Sequence, residues 1–462
     1  MEIVAEGEAD SESTSLPDDY ASLQEQLLGR WPENAIQPSL ERIAAVMDLL
    51  GDPQLTYPVI QITGTNGKSS TSRMIASLLR AFGLRTGLYT SPHLIDIRER
   101  IEIDGEPIGA EAFMDVARDV ATYLAAVDAR MEAEGRTPVT FFETMTAIAY
   151  AAFADAPVDV AVVEVGMGGT WDATSVCRPQ VSVFTRIDID HAEILGETID
   201  LIAGEKAGII REGSFTVSAR QDPSAEAIIR ARAAELGSTL AWQGDNFWVA
   251  DRTVAVGGQV LNLHGITGEY DDVFVPLFGP FQADNAAVAL AAVEAFVGGG
   301  AFALDADAVR EGFADVSSPG RLEIVRRGPT VIVDAAHNPA GARALADALQ
   351  ESFAFTHLIG VVAVLGDKDV VGILTALEPV LDQVVVTQNA SPRHLPVDDL
   401  AALAMQIFGE ERVEVAPRFE DALDTGVRMA EEADTYAASG VIVTGSVVTA
   451  GQARALFGGR TR

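Results

Sequence analysis

Short apolar runs alternate with amphipathic stretches along most of the chain. The apolar runs have the length and the β-branched residues of buried strands, and the longer stretches have the spacing of helices. In the first two thirds of the chain the pattern predicts strands at residues 57–63, 158–165 and 181–185, and helices at residues 69–81, 142–153 and 285–296. Strands that alternate with helices are typical of an α/β fold with a mostly parallel sheet and crossover helices.

The pattern is interrupted at residues 317–320 (SSPG), which are turn-forming residue types. A second alternation follows, with predicted strands at residues 330–333, 358–364, 383–387 and 440–444. We therefore predict a larger domain over residues 19–316 and a smaller Rossmann-like α/β domain over residues 317–462. The length of 462 residues agrees with more than one domain.

The first 18 residues contain acidic side chains and no Lys or Arg. A secretory signal begins with basic residues and continues with an apolar core, so this segment is predicted to be a disordered acidic tail instead. The most apolar stretch, residues 286–304, is broken by Glu294 and by three glycines at 298–300. It is not expected to span a bilayer. We expect a cytoplasmic protein.

The charge balance excludes several partners. The chain has 32 Lys and Arg against 68 Asp and Glu, a formal net charge of -36. A field of this sign repels phosphate backbones and anionic lipids, so neither a nucleic acid nor a membrane surface is an expected partner. The single cysteine, Cys177, excludes an internal disulfide framework and a multi-cysteine metal site.

The strongest local pattern is the run GTNGKSS at residues 64–70, between a predicted strand and a predicted helix. Glycines let the backbone approach a phosphate, and the helix N-terminus adds partial positive charge. Lys68 can reach the β- and γ-phosphates of a nucleotide, and the Ser69 hydroxyl can bind Mg²⁺. The complete phosphate-loop pattern has glycine where this chain has Ile62. The pattern predicts a P-loop ATPase domain, and the alternative is an ordinary strand–turn–helix connection.

Three further residues are candidates for a metal–phosphate centre, and each has a structural alternative. Glu143 stands at a predicted helix start, where its charge would also complement the helix dipole. His191 follows a predicted strand and is alternatively a surface or hydrogen-bonded histidine. Lys206 lies in the run GEKAG and is alternatively an exposed helix charge.

The smaller domain carries polar residues at the end of the predicted strand 330–333, in the run DAAHNP. Such residues lie at the carboxyl end of a parallel strand, where α/β sheets bind ligands. An Asn-Pro turn with a helix cap explains Asn338 but leaves Asp334 and His337 without a role. Arg321, just before this strand, could reach a phosphate bound by the larger domain.

From about residue 40 to residue 458 the chain resembles the folylpolyglutamate synthase/dihydrofolate synthase family of Mur-ligase-like, ATP-dependent amide-bond ligases. The matching runs occur in the family's order. They are GTNGKSS, TSPHL, RIEIDGEPI, FFETMTAIAYAAF, VEVGMGGTWDAT, IDHAEILG, EKAGII, FGPFQADNAAVA, PGRLEIV, DAAHNP and LGDKD. The resemblance implies a Mur-ligase-like fold and a reaction that joins L-glutamate to 7,8-dihydropteroate, to the γ-carboxyl of a folylpolyglutamate, or to both. It implies an acyl-phosphate intermediate and small-molecule partners, and we expect a monomer.

The resemblance also implies roles for individual residues. Those expected to bind ATP are Gly64, Thr65, Asn66, Gly67, Lys68, Ser69, Ser70, Asn285, Arg321 and Asp334. Ser69 and Glu143 are expected to bind one Mg²⁺, and Glu143 and His191 a second. Lys206 matches a lysine that is carbamylated in the family and becomes a metal ligand. The implied catalytic residues are Lys68, Lys206 and His337, and the implied substrate-binding residues are Thr90, Ser91, Pro92, His93 and Asp172.

The chain departs from the family pattern in one loop. The family usually reads GGRxDATN, and here Thr170 replaces the arginine and Ser175 replaces the asparagine. This loop therefore lacks the family's usual cation. Three alternatives stay open: a Mur-type peptidoglycan ligase, a non-catalytic folate-binding protein, and an NTP-hydrolysing switch.

Overall fold

The computed structural model describes residue 17 and residues 19–32, 37–433 and 438–458. Apart from Pro17, the tail predicted over residues 1–18 lies outside the described residues. The strands form an eight-stranded, a three-stranded and a six-stranded sheet. The predicted α/β class with mostly parallel sheets is confirmed.

The eight-stranded sheet has the order β4-β3-β2-β5-β1-β6-β7-β8. Its strands are β1 (Val59–Thr63), β2 (Thr86–Tyr89), β3 (Ile101–Ile103), β4 (Glu106–Pro107), β5 (Val160–Glu164), β6 (Val181–Phe184), β7 (Phe215–Ser218) and β8 (Thr239–Trp242). All neighbouring pairs are parallel except those that involve β3 and β4 at one edge. Every residue of β1 and β5 is buried, as is typical of parallel strands that are covered on both faces.

Ten helices of the described residues surround this sheet. They are α1 (Tyr20–Leu28), α2 (Glu41–Leu49), α3 (Lys68–Ala81), α4 (Ala110–Ala133), α5 (Phe141–Asp155), α6 (Ala192–Leu195), α7 (Ile199–Lys206), α8 (Pro223–Glu235), α9 (Pro280–Gly298) and α10 (Ala306–Ala314). Successive strand residues face opposite sides of a sheet. Ile60 accordingly packs in the core with Leu290 of α9, whereas Val59 packs in the opposite core with Tyr150 of α5.

A three-stranded antiparallel sheet lies before α9 and consists of β9 (Trp248–Ala255), β10 (Gly258–His264) and β11 (Glu269–Val275). The sequence pattern predicts strand–helix alternation there, and that prediction is wrong over residues 248–275. Antiparallel strands need only a short turn between them, so no helix intervenes. Glu294 of α9 is fully buried and accepts a 2.8 Å hydrogen bond from the Tyr270 hydroxyl, which fixes β11 to the helix.

The six-stranded sheet has the order β12-β13-β17-β14-β15-β16, and only β12 is antiparallel to its neighbour. Its strands are β12 (Glu323–Arg326), β13 (Thr330–Val333), β14 (His357–Val362), β15 (Gln383–Val386), β16 (Val413–Val415) and β17 (Ser439–Thr444). Its helices are α11 (Pro339–Ser352), α12 (Val370–Leu377), α13 (Val397–Phe408), α14 (Phe419–Glu432) and α15 (Val447–Leu456). We refer to α1–α10 with β1–β11 as the first lobe, and to β12–β17 with α11–α15 as the second.

The two lobes touch at several places. Ser318, in the connection between them, has its hydroxyl 3.0 Å from that of Ser70 at the start of α3. Arg252 of β9 forms a two-pronged ion pair with Glu351 of α11, with both N–O distances at 2.6 Å. The helices in the described part of the chain include none with the length and apolar character needed to cross a lipid bilayer.

Candidate active site

The glycine-rich loop between β1 and α3 has a backbone that only glycine fits at two positions. Gly64 has φ +153°, and a Cβ there would lie 1.9 Å from Thr185 Oγ1. Gly67 has φ +87° and caps α3, and a Cβ there would lie 2.7 Å from Asn285 Oδ1. Without side chains at these two positions, the backbone can approach a phosphate closely at the N-terminus of the helix.

Two lysines converge on this loop. Lys68 Nζ donates to the carbonyl oxygens of Gly64 and Thr65, both over 3.2 Å. Lys206, at the end of α7, is buried, and its Nζ donates to Gly64 O over 2.8 Å. Burial, together with the charge of Lys68, lowers the pKa of Lys206 to about 7. Lys206 is therefore not the exposed helix charge that its sequence context allows.

An acid that the sequence analysis missed faces the loop. Glu164, the last residue of β5, is buried and accepts a 2.9 Å hydrogen bond from the Ser69 hydroxyl at Oε1. Its Oε2 accepts one from the backbone N–H of Ser91 over 3.3 Å. Burial raises the pKa of Glu164, so a cation beside this carboxylate would relieve the cost of keeping it charged. An acid at the end of a fully buried strand was the available clue.

In the structure, Glu143 contacts Arg42 and Thr140 and not the residues of the glycine-rich loop. Glu143 lies in the first turn of α5, where it forms a reciprocal capping box with Thr140. Its carboxylate also accepts from Arg42 Nε, with distances of 3.0 and 3.1 Å to the two oxygens, and both side chains are buried. Its oxygens are thus already used for folding, and the acid beside Ser69 is Glu164.

The loop after β6 carries Asp190 and His191 toward the second lobe. His191 adopts a left-handed backbone conformation with φ +52° at the start of α6. Burial lowers the pKa of His191 to about 4, so the ring is neutral and can act as a metal ligand. Asp190 accepts hydrogen bonds from Asn338 Nδ2 over 3.1 Å and from Lys368 Nζ over 3.3 Å.

In the second lobe, the carboxyl end of β13, where parallel sheets usually bind ligands, faces the glycine-rich loop. Asp334 accepts from the backbone N–H groups of Leu322 (2.9 Å) and Ala336 (2.8 Å), so its carboxylate orders the segment that carries Arg321. His337 Nδ1 lies 3.0 Å from Ala335 O. Asn338 Nδ2 reaches across to Asn66 Oδ1 of the loop over 3.3 Å.

A cavity of about 520 Å³ extends from the start of α3 between the two lobes. Its lining brings together Ser69 and Arg321 with three of the predicted substrate-binding residues, Thr90, Pro92 and His93. Arg100 Nε donates to His93 Nδ1 over 2.9 Å. Burial, together with the charge of Arg100, lowers the pKa of His93 to about 3, so this ring is a neutral group in the cavity wall.

Ser70 and Asn285 support the loop from the helix side. The Ser70 hydroxyl accepts from Gln282 Nε2 over 3.2 Å, and Gln282 Oε1 accepts from Asn285 Nδ2 over 3.1 Å. The Asn285 side chain lies directly against Gly67, since it would clash with a Cβ atom at that position. The Ser70 hydroxyl thus contacts Gln282 of α9 and the Ser318 hydroxyl, whereas Asn285 borders the glycine-rich loop itself.

Asp172 and the two departures from the family pattern hold one loop in place. Asp172 is buried and accepts from the backbone N–H groups of Met167 and Thr174, each over 2.9 Å. The Thr170 N–H donates to Glu205 Oε1 over 2.8 Å, and the Ser175 hydroxyl donates to Gly169 O. Asp172 is absent from the cavity lining, and Thr170 ties the loop to the helix that ends in Lys206.

The donor set fits a cation that is shared with a phosphate. Within the described residues, no group of three or more His, Cys, Asp or Glu side chains could enclose a metal ion. Mg²⁺ is usually held by only one or two carboxylates together with phosphates and water. Glu164 beside the Ser69 hydroxyl matches that requirement.

A P-loop lobe that faces a second parallel α/β lobe across a cleft defines the class of Mur-type ligases. Residues 62–293 match the Mur ligase middle domain, and residues 320–446 match the Mur ligase glutamate ligase domain.

Sequence and structure comparisons identify the family within this class of ligases. The chain is 52% identical to the dihydrofolate synthase/folylpolyglutamate synthase of Mycobacterium tuberculosis over 96% of this chain and 95% of that protein. It is 33% identical to the enzyme of the same name from Escherichia coli over 79% and 81%. The structure of the Mycobacterium tuberculosis folylpolyglutamate synthase complexed with ADP has a TM-score of 0.91 and 51% identity, with 95% and 98% covered. The chain belongs to the folylpolyglutamate synthase/dihydrofolate synthase family.

Proposed function

We propose that the protein uses ATP to join L-glutamate to 7,8-dihydropteroate, to the γ-carboxyl of a folylpolyglutamate, or to both. The observation that carries the proposal is the contact between Asn338 and Asn66, which places the DAAHNP segment of the second lobe over the P-loop of the first. A ligase needs this arrangement because the nucleotide bound by one lobe must meet an acid and an amine in a closed site.

The nucleotide phosphates are proposed to lie on the loop of residues 64–70. Its backbone N–H groups and the Lys68 ammonium supply the positive charge there, and Asn285 borders the loop behind Gly67. Arg321 approaches from the second lobe and lines the cavity next to Ser69. Asp334 supports Arg321 indirectly, because its carboxylate accepts a hydrogen bond from the backbone N–H of the next residue, Leu322. The domain limits 19–316 and 317–462 are our proposal for the two working units.

Mg²⁺ is proposed to be held by the Ser69 hydroxyl and the Glu164 carboxylate. His191, neutral and on the adjacent loop, is available for a second ion together with Lys206 if that lysine is carbamylated. When bound, such ions neutralise charge on the transferred phosphoryl group. Glu143 has no part in this proposal because Arg42 and Thr140 occupy its oxygens.

Lys206 is proposed to be the site of carbamylation. Its amine is buried beside Gly64, and its lowered pKa leaves it a neutral nucleophile more often than an ordinary lysine. A carbamate would replace a cation by an anion beside the loop. Asp172 is also buried. Its negative charge partly offsets the lowering of the Lys206 pKa, and its carboxylate accepts from the Met167 N–H and so orders the loop next to Lys206.

The chemistry requires an activated acid. A carboxylate does not react with an amine at neutral pH because oxide is its leaving group, so ATP must first convert it into an acyl phosphate. Attack by a carboxylate on the γ-phosphate brings anions together, and Lys68 and Arg321 are placed to offset that repulsion. The glutamate amine then attacks the acyl carbon and phosphate leaves. His337 is proposed to face this reaction from the second lobe.

The cavity is proposed to receive the pterin-bearing acid. Thr90, Pro92 and His93 form its wall beside Ser69, and the Ser91 N–H fixes the same loop to Glu164. Pro92 and the neutral His93 ring are the part of this wall against which a ring system could pack. Exclusion of water by lobe closure would protect the acyl phosphate from hydrolysis.

The decisive test uses the purified protein with Mg-ATP and L-glutamate, and with dihydropteroate or a reduced folate as the acid. We expect phosphate release that depends on both substrates and a product heavier by one glutamyl residue. Turnover with UDP-sugar peptides would instead indicate a peptidoglycan ligase, and folate binding without phosphate release would indicate a binding protein. Sedimentation in the same buffer tests the proposed monomer.

A further inference from the structure

One carboxylate of the first lobe holds two separate loops of the second. The Asp190 side chain is only 12% exposed and lies on the loop between β6 and α6. Its Oδ2 accepts from Asn338 Nδ2 over 3.1 Å, and its Oδ1 accepts from Lys368 Nζ over 3.3 Å. His337 Nε2 is 3.7 Å from the same Oδ2. All three partners belong to the second lobe.

These partners stand on different loops at the same edge of the six-stranded sheet. Asn338 ends the connection from β13 and caps α11 by accepting from the Gly341 N–H over 2.8 Å. Lys368 lies in the connection from β14 to α12. Both loops follow strands that flank β17, so a single charged group on the first lobe contacts two neighbouring loops of this edge.

Asp190 and its partner Asn338 are next in the chain to residues with roles in the proposed reaction. Asp190 precedes His191, and Asn338 follows His337 and also reaches Asn66 of the P-loop. Hydrogen bonds to a charged, poorly solvated carboxylate are stronger than neutral ones. The Arg252–Glu351 pair joins the lobes elsewhere, at β9 and α11. Loss of Asp190 would therefore loosen this edge without separating the lobes.

We propose that Asp190 is a positioning residue that holds the second lobe closed over the P-loop during turnover. This inference rests on the proposed function for its kinetic readout. Asp190 acts through Asn338 and Lys368 and forms no bond with the reacting atoms. Without it, a smaller fraction of nucleotide-bound molecules would be closed, and the rate of ligation would decrease in proportion to that fraction.

The test compares Asp190→Ala and Asp190→Asn with the matched control Asp188→Asn. Asp188 lies on the same loop, and its side chain accepts only from the adjacent Ile189 N–H in the described contacts. We expect kcat to fall by about 10- to 100-fold for Asp190→Ala, with KM for ATP and the Mg²⁺ requirement changed by less than about threefold. Asp190→Asn should fall between, because it keeps one acceptor oxygen. Asp188→Asn should match the parent protein.

A second readout does not depend on the substrate. Small-angle X-ray scattering with a non-hydrolysable ATP analogue should give a larger radius of gyration for Asp190→Ala than for the parent protein or Asp188→Asn. Unchanged scattering together with unchanged kcat would overturn the inference. A changed Mg²⁺ requirement with unchanged scattering would also overturn it, because Asp190 would then act through the metal. If the parent protein fails to ligate glutamate, the proposed function fails, whereas scattering still tests closure.

A double variant tests whether the partners act as one unit. Lys368→Met and Asp190→Ala remove opposite ends of one contact, so the double variant should be no slower than the slower single variant. If the losses of the two single variants multiply in the double variant, the two residues act separately, and the proposed role of the Asp190–Lys368 contact is contradicted. Circular dichroism of each variant verifies that the fold is kept.

Discussion

The Ser69 hydroxyl donates a 2.9 Å hydrogen bond to Glu164 Oε1 and thereby joins the start of α3 to the end of β5. The two residues are 95 positions apart in the chain, and they meet because β5 is the neighbour of β1 in the sheet. The same carboxylate accepts from the Ser91 N–H, so three segments of the candidate site converge on Glu164.

Replacement of this acid should slow the reaction and raise the Mg²⁺ concentration that it requires. Glu164→Gln keeps the size of the side chain and an acceptor for Ser69 but removes the negative charge. We expect ligation to decrease by about 100-fold, with a higher Mg²⁺ concentration at half-maximal rate. Initial rates measured across a Mg²⁺ series, with thermal melting as the check on folding, provide the test. An unchanged Mg²⁺ profile would remove Glu164 from the proposed metal site.

The corresponding change at Glu143 should affect stability instead. Glu143→Gln leaves the buried Arg42 guanidinium without its charged partner, and we expect unfolding to require about 3 kcal/mol less free energy. The folded variant should keep its Mg²⁺ profile. Denaturant titration measures the loss, and Glu134→Gln, at an exposed ion pair, is the control with an expected change below about 0.5 kcal/mol. A stable but inactive Glu143→Gln protein would restore Glu143 to the catalytic site.

The lysine of the loop should be indispensable for turnover. Lys68→Ala removes the ammonium that lies over Gly64 and Thr65, and we expect ATP-dependent ligation to decrease by at least about 1000-fold while the fold is kept. Lys68→Arg keeps the charge but not the compact geometry, so its rate should be intermediate. Coupled phosphate release measures the rates. Near-parental turnover of Lys68→Ala would defeat the assignment.

Carbamylation of Lys206 predicts a specific mass. Active protein prepared in bicarbonate should carry the mass of one added CO₂, and native mass spectrometry with peptide mapping should place it on Lys206. Lys206→Ala should lack both the added mass and the activity, because it removes the amine that would carry the carbamate. An unmodified amine in a fully active, bicarbonate-exposed preparation would exclude the carbamate.

The single cysteine should be inert in the folded protein. Cys177 is buried, and burial raises the pKa of its thiol to about 11. The thiolate is the reactive form, and it increases only as pH approaches that value, so iodoacetamide at pH 8 should leave the native protein unlabelled. The same reagent in guanidinium chloride should label one site. Rapid labelling of native protein at pH 8 would show that the loop after Asp172 opens readily.

Part of this protein is determined locally. A run of buried β-branched residues followed by GTNGKSS requires a strand, a glycine-dependent turn and a helix, because Gly64 and Gly67 adopt backbone conformations that other residues avoid. The sequence therefore predicted the loop, the parallel α/β class and the strand that precedes Asp334. The antiparallel sheet of β9–β11 escaped prediction because β9 is exposed along most of its length and short turns join the strands.

Only the tertiary structure decided which acids lie beside the glycine-rich loop. Glu143 stands at a helix start with the capping-box spacing from Thr140, and Arg42 contacts the same carboxylate. Glu164 reaches Ser69 through sheet order, and Asp190 meets Asn338 and Lys368 across 148 and 178 positions. Local pattern encodes backbone geometry, whereas such meetings depend on how distant segments pack, which no short stretch of sequence specifies.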